Sequence, residues 1–168
     1  LGLREVLEPA IFYAEHGHPM LPRVADTIAG VKTLFEAEWP TSAATYLPDG
    51  KVPEANALFR NAAVARTYKR ILKEAEAAGG NRQRQIEAAR RAWAEGFVAE
   101  AVDRFIRRTE AMDSSGQRNR GVLTGDDMAG WRAHYEAPAS CDYHGWRVHK
   151  TGPWGQGPAF LQTLGLLR

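Results

Sequence analysis

The sequence has a single cysteine, Cys141, so an internal disulfide is excluded and the fold must be held by its core. It has no apolar run near the roughly 20 residues that a membrane-spanning helix requires. It has no excess of one charge: 22 Lys and Arg stand against 20 Asp and Glu, a net +2. The totals therefore imply no large basic face for nucleic acid. No internal repeat or low-complexity tract occurs, which excludes a solenoid. No initiator Met, charged leader or signal-like stretch opens it. It starts on Leu1-Gly2-Leu3 in helical pattern and stops inside another, Phe160 to Leu167. Both ends are expected to be cuts in a longer polypeptide.

What is present suits a globular chain. With 44% apolar and 25% charged residues over 168 positions, one domain spanning 1–168 is expected. A domain of that length buries roughly 70% of its unfolded surface.

Periodicity predicts a mainly α chain with one or two short β-hairpins. Leu3, Leu7, Ile11 and Ala14 mark a helix from Leu3 to His16, kinked or started by Pro9. A bend at His18–Pro22 precedes a second helix, Pro22 to Glu38, on Val24, Ile28, Val31 and Leu34/Phe35. Thr41 to Pro53 reads as extended, with Pro48-Asp49-Gly50 as its turn. Asn61 caps a third helix to Ala78, closed by Gly79-Gly80. Arg82 to Met112 reads as two helices joined near Gly96. Asp113 to Gly121 is a polar loop. Thr124-Gly125-Asp126-Asp127 reads as a capping box opening a helix that buries Met128, Trp131 and Tyr135. Ser140 to Lys150 is a hairpin turning at His144-Gly145. A Gly/Pro loop, Gly152 to Pro158, feeds a last helix carrying Leu161, Leu164 and Leu167.

Few residues invite chemistry. Cys141, His144 and His149 suggest a metal or thiol site, but no second ligand pair exists for a tetrahedral centre. A buried cysteine and turn or edge histidines is the preferred reading. His16-Gly17-His18 reads as a helix end, where a histidine complements the dipole. Gly152 to Gly157 departs from the phosphate-loop spacing and lacks its lysine. Arg82, Arg84, Arg90, Arg91, Arg104, Arg107 and Arg108 interleave with Glu87, Glu95, Glu100, Asp103 and Glu110. That pattern predicts a solvated, ion-paired helix face rather than a nucleic-acid stripe. The five tryptophans, one per element, read as core or elbow residues.

The order of short phrases carries more. Glu8-Pro9-Ala10-Ile11 with Ala14 and Gly17 resembles the PAI-x-x-A-x-x-G helix of the gamma-glutamyltranspeptidase family. Tyr46-Leu47-Pro48-Asp49-Gly50 is similar to its F-L-P-D-G turn. Arg60-Asn61 and the helix after it resemble its R-x-P-x-L-A segment. Gly121-Val122-Leu123-Thr124-Gly125-Asp126-Asp127-Met128-Ala129 resembles G-x-L-T-x-E-D-L-A. Tyr143-His144-Gly145-Trp146-Arg147-Val148 resembles Y-R-G-Y-x-V, and Pro153 to Leu167 takes the place of the P-P-x-x-G-G loop and its helix. Two stretches depart from the pattern. Arg82 to Trp93 looks inserted, and the 152–157 loop replaces prolines and serines.

The resemblance implies the later, helical part of a large subunit, within the four-layer α+β sandwich of N-terminal-nucleophile hydrolases. It implies a precursor that cuts itself to expose a threonine, the nucleophile toward gamma-glutamyl amides such as glutathione. The implied partners are the N-terminal part and the small subunit of the parent. No cofactor, metal, nucleic acid or membrane span is implied. Neither the nucleophile nor the carboxylate-gripping arginine matches a residue of this chain, so no catalytic, cofactor or metal residue is assigned. Thr124, Thr151 and Thr163 are internal and supply no free amine. A non-enzymatic helical interaction module and an acylase-like relative are the alternatives.

Overall fold

The structure is a computed structural model and describes residues 1–167. It is mostly helical, at 58%, with three two-stranded antiparallel pairs among the described residues. The chain divides into two compact units, Leu1–Trp131 and Arg132–Arg168.

The first unit opens with α1 (Leu3–His16), which continues through Pro9 instead of starting there. A two-residue strand β1 (His18–Pro19) follows, then α2 (Pro22–Ala37), with proline at its first position. The expected extended region at Thr41–Pro53 is instead a helix, α3 (Pro40–Tyr46), followed by one 3-10 turn at Pro48–Gly50. Two local features explain the difference. Pro40 occupies a first-turn position that needs no N–H, and the Thr45 hydroxyl donates to the Thr41 carbonyl one turn back. The Pro48-Asp49-Gly50 turn itself holds, with φ of 53° at Asp49 and 70° at Gly50. The strand pairing arises elsewhere: β2 (Leu58–Phe59) pairs with β1 in register His18↔Phe59, joining residues 41 positions apart. Met20, Ala25, Ile28, Leu47 and Phe59 form the core that this pairing closes.

Asn61 caps α4 (Ala62–Ala77), its side chain accepting from the Val64 amide. Asn81 caps α5 (Arg82–Ala94) in the same way. The break before α6 (Phe97–Arg108) falls at Gly96 as expected. A Cβ there would lie 3.0 Å from the Ala92 carbonyl oxygen, so the tight junction demands glycine. A second core cluster of Ile71, Ala75 and Ala89 sits between these helices, covered by Leu3, Tyr68, Phe97 and Val98.

The α6 helix stops at Arg108 rather than Met112. Residues 111–119 form a small hairpin, β3 (Ala111–Met112) with β4 (Arg118–Asn119), so the polar loop is its tip. It is tied to the C-terminal end of α2: Trp39 Nε1 donates to the Met112 carbonyl and Arg118 grips Glu38 with two nitrogens. The helix α7 (Gly125–Gly130) ends before Trp131. Trp131 is 69% exposed and Tyr135 fully exposed, so the expected buried face of that helix is wrong beyond the half-buried Met128. Capping by Thr124 starts this helix, but it ends at Gly130 after six residues, so Trp131 is already its extended C-cap residue and Tyr135 lies beyond it.

The second unit is a hairpin, β5 (Ala139–Tyr143) with β6 (Trp146–Lys150), packed under α8 (Gly157–Leu166). His144 and Gly145 form its two-residue turn with φ of 45° and 82°, the primed turn whose twist matches the strands. Leu161 and Leu164 are the half-buried residues of α8.

Candidate functional site

The hairpin register separates the residues that suggested a metal or thiol centre. Cys141 faces Val148 across the ladder, while His149 faces Ser140. Successive strand residues point to opposite faces, so Cys141 and His149 lie on opposite sides, and His144 is in the turn. Among the described residues no group of three or more His, Cys, Asp or Glu side chains is arranged to hold a metal ion. His16 does what its position suggests: Nδ1 lies 3.1 Å from the Phe12 carbonyl in the last turn of α1, and its ring stacks on Phe12 at 4.5 Å.

The glycine loop serves the chain's own packing. A Cβ on Gly157 would overlap the carbonyl oxygen of Thr151, and one on Gly155 would lie 2.7 Å from the Thr151 hydroxyl. The start of α8 therefore sits directly against the end of β6. Trp154 closes the loop, its indole N–H donating to Glu136 Oε2 at 2.8 Å. His134 Nε2 lies 2.9 Å from the other oxygen of that carboxylate.

The most connected polar joint lies between α6 and α7. Asp103 accepts from Arg107 Nε at 2.7 Å and from the Gly125 amide at 2.9 Å. Beside it Thr124 and Asp127 exchange bonds: the Thr124 amide and hydroxyl both donate to Asp127 Oδ2, and the Asp127 amide donates to the Thr124 hydroxyl. The capping box read from the sequence is thus formed. The Arg107 guanidinium, then the Gly125 amide, hold the Asp103 carboxyl below its ordinary range. The Thr124 hydroxyl and amide do the same for Asp127. Groups with depressed folded values stabilise fully above the unfolded value, near 3.9 for aspartate, and lose that contribution as pH falls through the folded value. The joint is therefore expected to loosen only below about pH 4. Amide exchange at Gly125, corrected for its intrinsic rate, should accelerate as pH falls below about 4; unchanged protection down to about pH 2 would contradict it.

The arginines of 82–108 behave largely as expected of a solvated face. Arg90 reaches Glu87 and Glu95, Arg91 faces Glu87, and Arg107 faces Asp103. A second set of ion pairs, missed by sequence reasoning because it joins distant segments, crosses the α1–α4 seam. Arg4 pairs with Glu76 and Lys69 with Glu15, at opposite ends of a groove of about 420 Å³ floored by Ile11 and Leu72.

What stands out is apolar surface left uncovered. Trp146, Trp154, Val122, Leu166 and Leu167 are each 65% exposed or more. Trp39 and the exposed Trp154 each tie a bend through the indole N–H, as elbow residues do, whereas Trp93, Trp131 and Trp146 are exposed. The accessible surface totals 12406 Å². A compact chain of this mass exposes roughly 8,200 Å², and two separately folded units of these lengths roughly 9,600 Å². Most of the buried apolar side chains are alanines, and no large described side chain is fully buried.

Comparison with known proteins gives these features a context. The family model described as gamma-glutamyltranspeptidase matches residues 1–168. The glutathione hydrolase-like YwrD proenzyme of Bacillus subtilis (strain 168) is 29% identical over 168 residues, covering 99% of this chain and 27% of that protein. The structure of LmbA2991HD is 52% identical with a TM-score of 0.88, covering 100% of this chain and 29% of that one. The cephalosporin acylase of Bacillus halodurans is 26% identical with a TM-score of 0.71, covering 99% of this chain and 28% of that one. The chain thus spans little more than a quarter of the length of these relatives.

Proposed function

The chain belongs to the gamma-glutamyltranspeptidase family, and on that premise we propose that it is the later, helical part of the large subunit of a self-cleaving N-terminal-nucleophile enzyme. Its role is scaffolding. It holds the motif segments 121–129 and 143–148 in place and offers apolar surface to the rest of the polypeptide. The observation that carries this reading is the pairing of a match over all 168 residues with an accessible surface of 12406 Å², well above the roughly 9,600 Å² of self-sufficient units. A surplus of that order is the size of an obligate interface, which runs from about 2,000 to 5,000 Å².

The chemistry belongs to the remainder of the parent. A threonine freed at the start of the small subunit attacks the acyl carbonyl, its own amine taking the hydroxyl proton. The acyl group then passes to water or to an amine. On this reading the nucleophile and the carboxylate grip lie outside these residues, and among the described residues no His, Cys, Asp or Glu group is arranged to hold a metal ion. Among its threonines, Thr124 and Thr163 spend their hydroxyls locally, on Asp127 and on the Ala159 carbonyl.

The substrate is a gamma-glutamyl amide, the class named in the hydrolase-like relative and the family description. A second reading, an acylase-like enzyme acting on other amides, draws support from the cephalosporin acylase likeness. The enzyme expressed from its full reading frame separates the two. Gamma-glutamyl-p-nitroanilide should be turned over at least about tenfold faster than glutaryl-p-nitroanilide, as expected where a site built to bond an amine rejects the analogue lacking it. The reverse order assigns the acylase reading, and turnover of neither overturns both. The isolated 168-residue chain should turn over neither substrate.

A further inference from the structure

We propose that the segment Arg120–Leu123 is a docking edge, to which an extended apolar strand from the part of the parent polypeptide outside this chain adds by backbone pairing. The proposal rests on the large-subunit reading above. The β3–β4 ladder ends at the pair Ala111↔Asn119, and the chain then runs free until Thr124 caps α7. Between those points the amides and carbonyls of Gly121, Val122 and Leu123 find no backbone partner among the described residues.

One side of the segment is packed and the other is open. A Cβ on Gly121 would lie 3.2 Å from Ile106 Cγ2, so the segment rests against α6. On the open side Val122 is 92% exposed and Leu123 45%. Ile106, Val122 and Leu123 line a hollow of about 410 Å³ flanked by Arg107 and Arg120. Both arginines are already neutralised, by Asp103 and Glu110. The hollow therefore offers apolar contact and backbone hydrogen bonds, not charge, and an anionic ligand has no cation to meet.

Free backbone groups beside apolar side chains are what strand addition uses. The relatives supply the occupant: this chain makes up 29% of LmbA2991HD and 27% of the hydrolase-like proenzyme. A strand on the same or a co-folded polypeptide binds at high effective concentration, so a short edge suffices.

Hydrogen exchange on the product of the full reading frame tests this, with the 114–116 hairpin tip as the fast-exchanging reference. Neighbouring N–H groups of an extended segment point to opposite edges, so one of the Val122 and Leu123 amides, the one facing the added strand, should exchange more than about 100-fold slower than an unstructured chain. Replacing Val122→p-benzoylphenylalanine and irradiating should cross-link to a peptide outside residues 1–168. Exchange of both amides within about 100-fold of the unstructured rate, or cross-links confined to this chain, overturns the docking edge. Whether the product is cut into two chains is read separately by mass and bears only on the large-subunit reading.

Discussion

Replacing Gly157 with alanine is expected to dislodge α8 from the hairpin it covers. The added methyl would overlap the carbonyl oxygen of Thr151 and lie 3.0 Å from Lys150 Cβ. Two of the three near neighbours are backbone atoms at the end of β6, so no side-chain rotation relieves the overlap. Either the first turn of α8 lifts or β6 distorts. The cost is expected at or beyond the upper end of overpacking, about 3 kcal/mol. Little in the second unit can absorb it: Leu161 and Leu164 are only half-buried, and a lone two-stranded ribbon is marginal. Thermal unfolding of the full-frame protein should show a clear drop in midpoint or loss of soluble product. A variant melting within about a degree of the native protein would show that the close approach is not required.

The second large effect is expected at Ile71. It is 5% exposed and is the one bulky member of a buried cluster whose other members are Ala75 and Ala89. Leu3 of α1 and Phe97 and Val98 of α6 pack against this cluster, so its one bulky side chain sits where α1, α4, α5 and α6 meet. Alanine neighbours have no reach to fill a void, and Ile71→Ala leaves a cavity at the joint. Substitutions of this kind cost about 2–5 kcal/mol, with the high end where the site cannot collapse. Denaturant unfolding should show the midpoint fall with an unchanged slope. A cost under about 0.5 kcal/mol, the usual range for surface changes, would remove Ile71 from the core.

Local chemistry was the legible part of this fold. Asn61 and Thr124 announced helix starts because a side-chain oxygen two or three residues ahead of free amides has one obvious partner. Gly96 announced a break, and His144-Gly145 a two-residue turn, because the backbone there needs what those residues permit. Long-range pairings were not legible. The β1–β2 pair joins His18 to Phe59, and nothing in either dipeptide specifies the other. The helix Pro40–Tyr46 was read as extended because a seven-residue stretch is too short for periodicity to separate the two.

The aromatic residues show a different limit. Trp131, Tyr135, Trp146 and Trp154 read as core because large apolar side chains usually are. Here they stand exposed, and on the proposed large-subunit reading the rest of the parent polypeptide covers them. The same gap governs the site. Ordered phrases from Glu8 to Leu167 pointed to the family, which the match over residues 1–168 bears out. No phrase supplied a catalytic residue, because the resemblance places nucleophile and substrate grip in other parts of the parent.

Intact-mass spectrometry of the protein expressed from the full reading frame tests the central claim most directly. The account predicts two polypeptides, the larger containing residues 1–168 and the smaller beginning with threonine. Changing that threonine to alanine should leave one uncut chain, since the same hydroxyl performs the self-cleavage and the later acyl transfer. A wild-type product that is soluble and folded yet stays whole would contradict the account and leave a helical interaction module in its place.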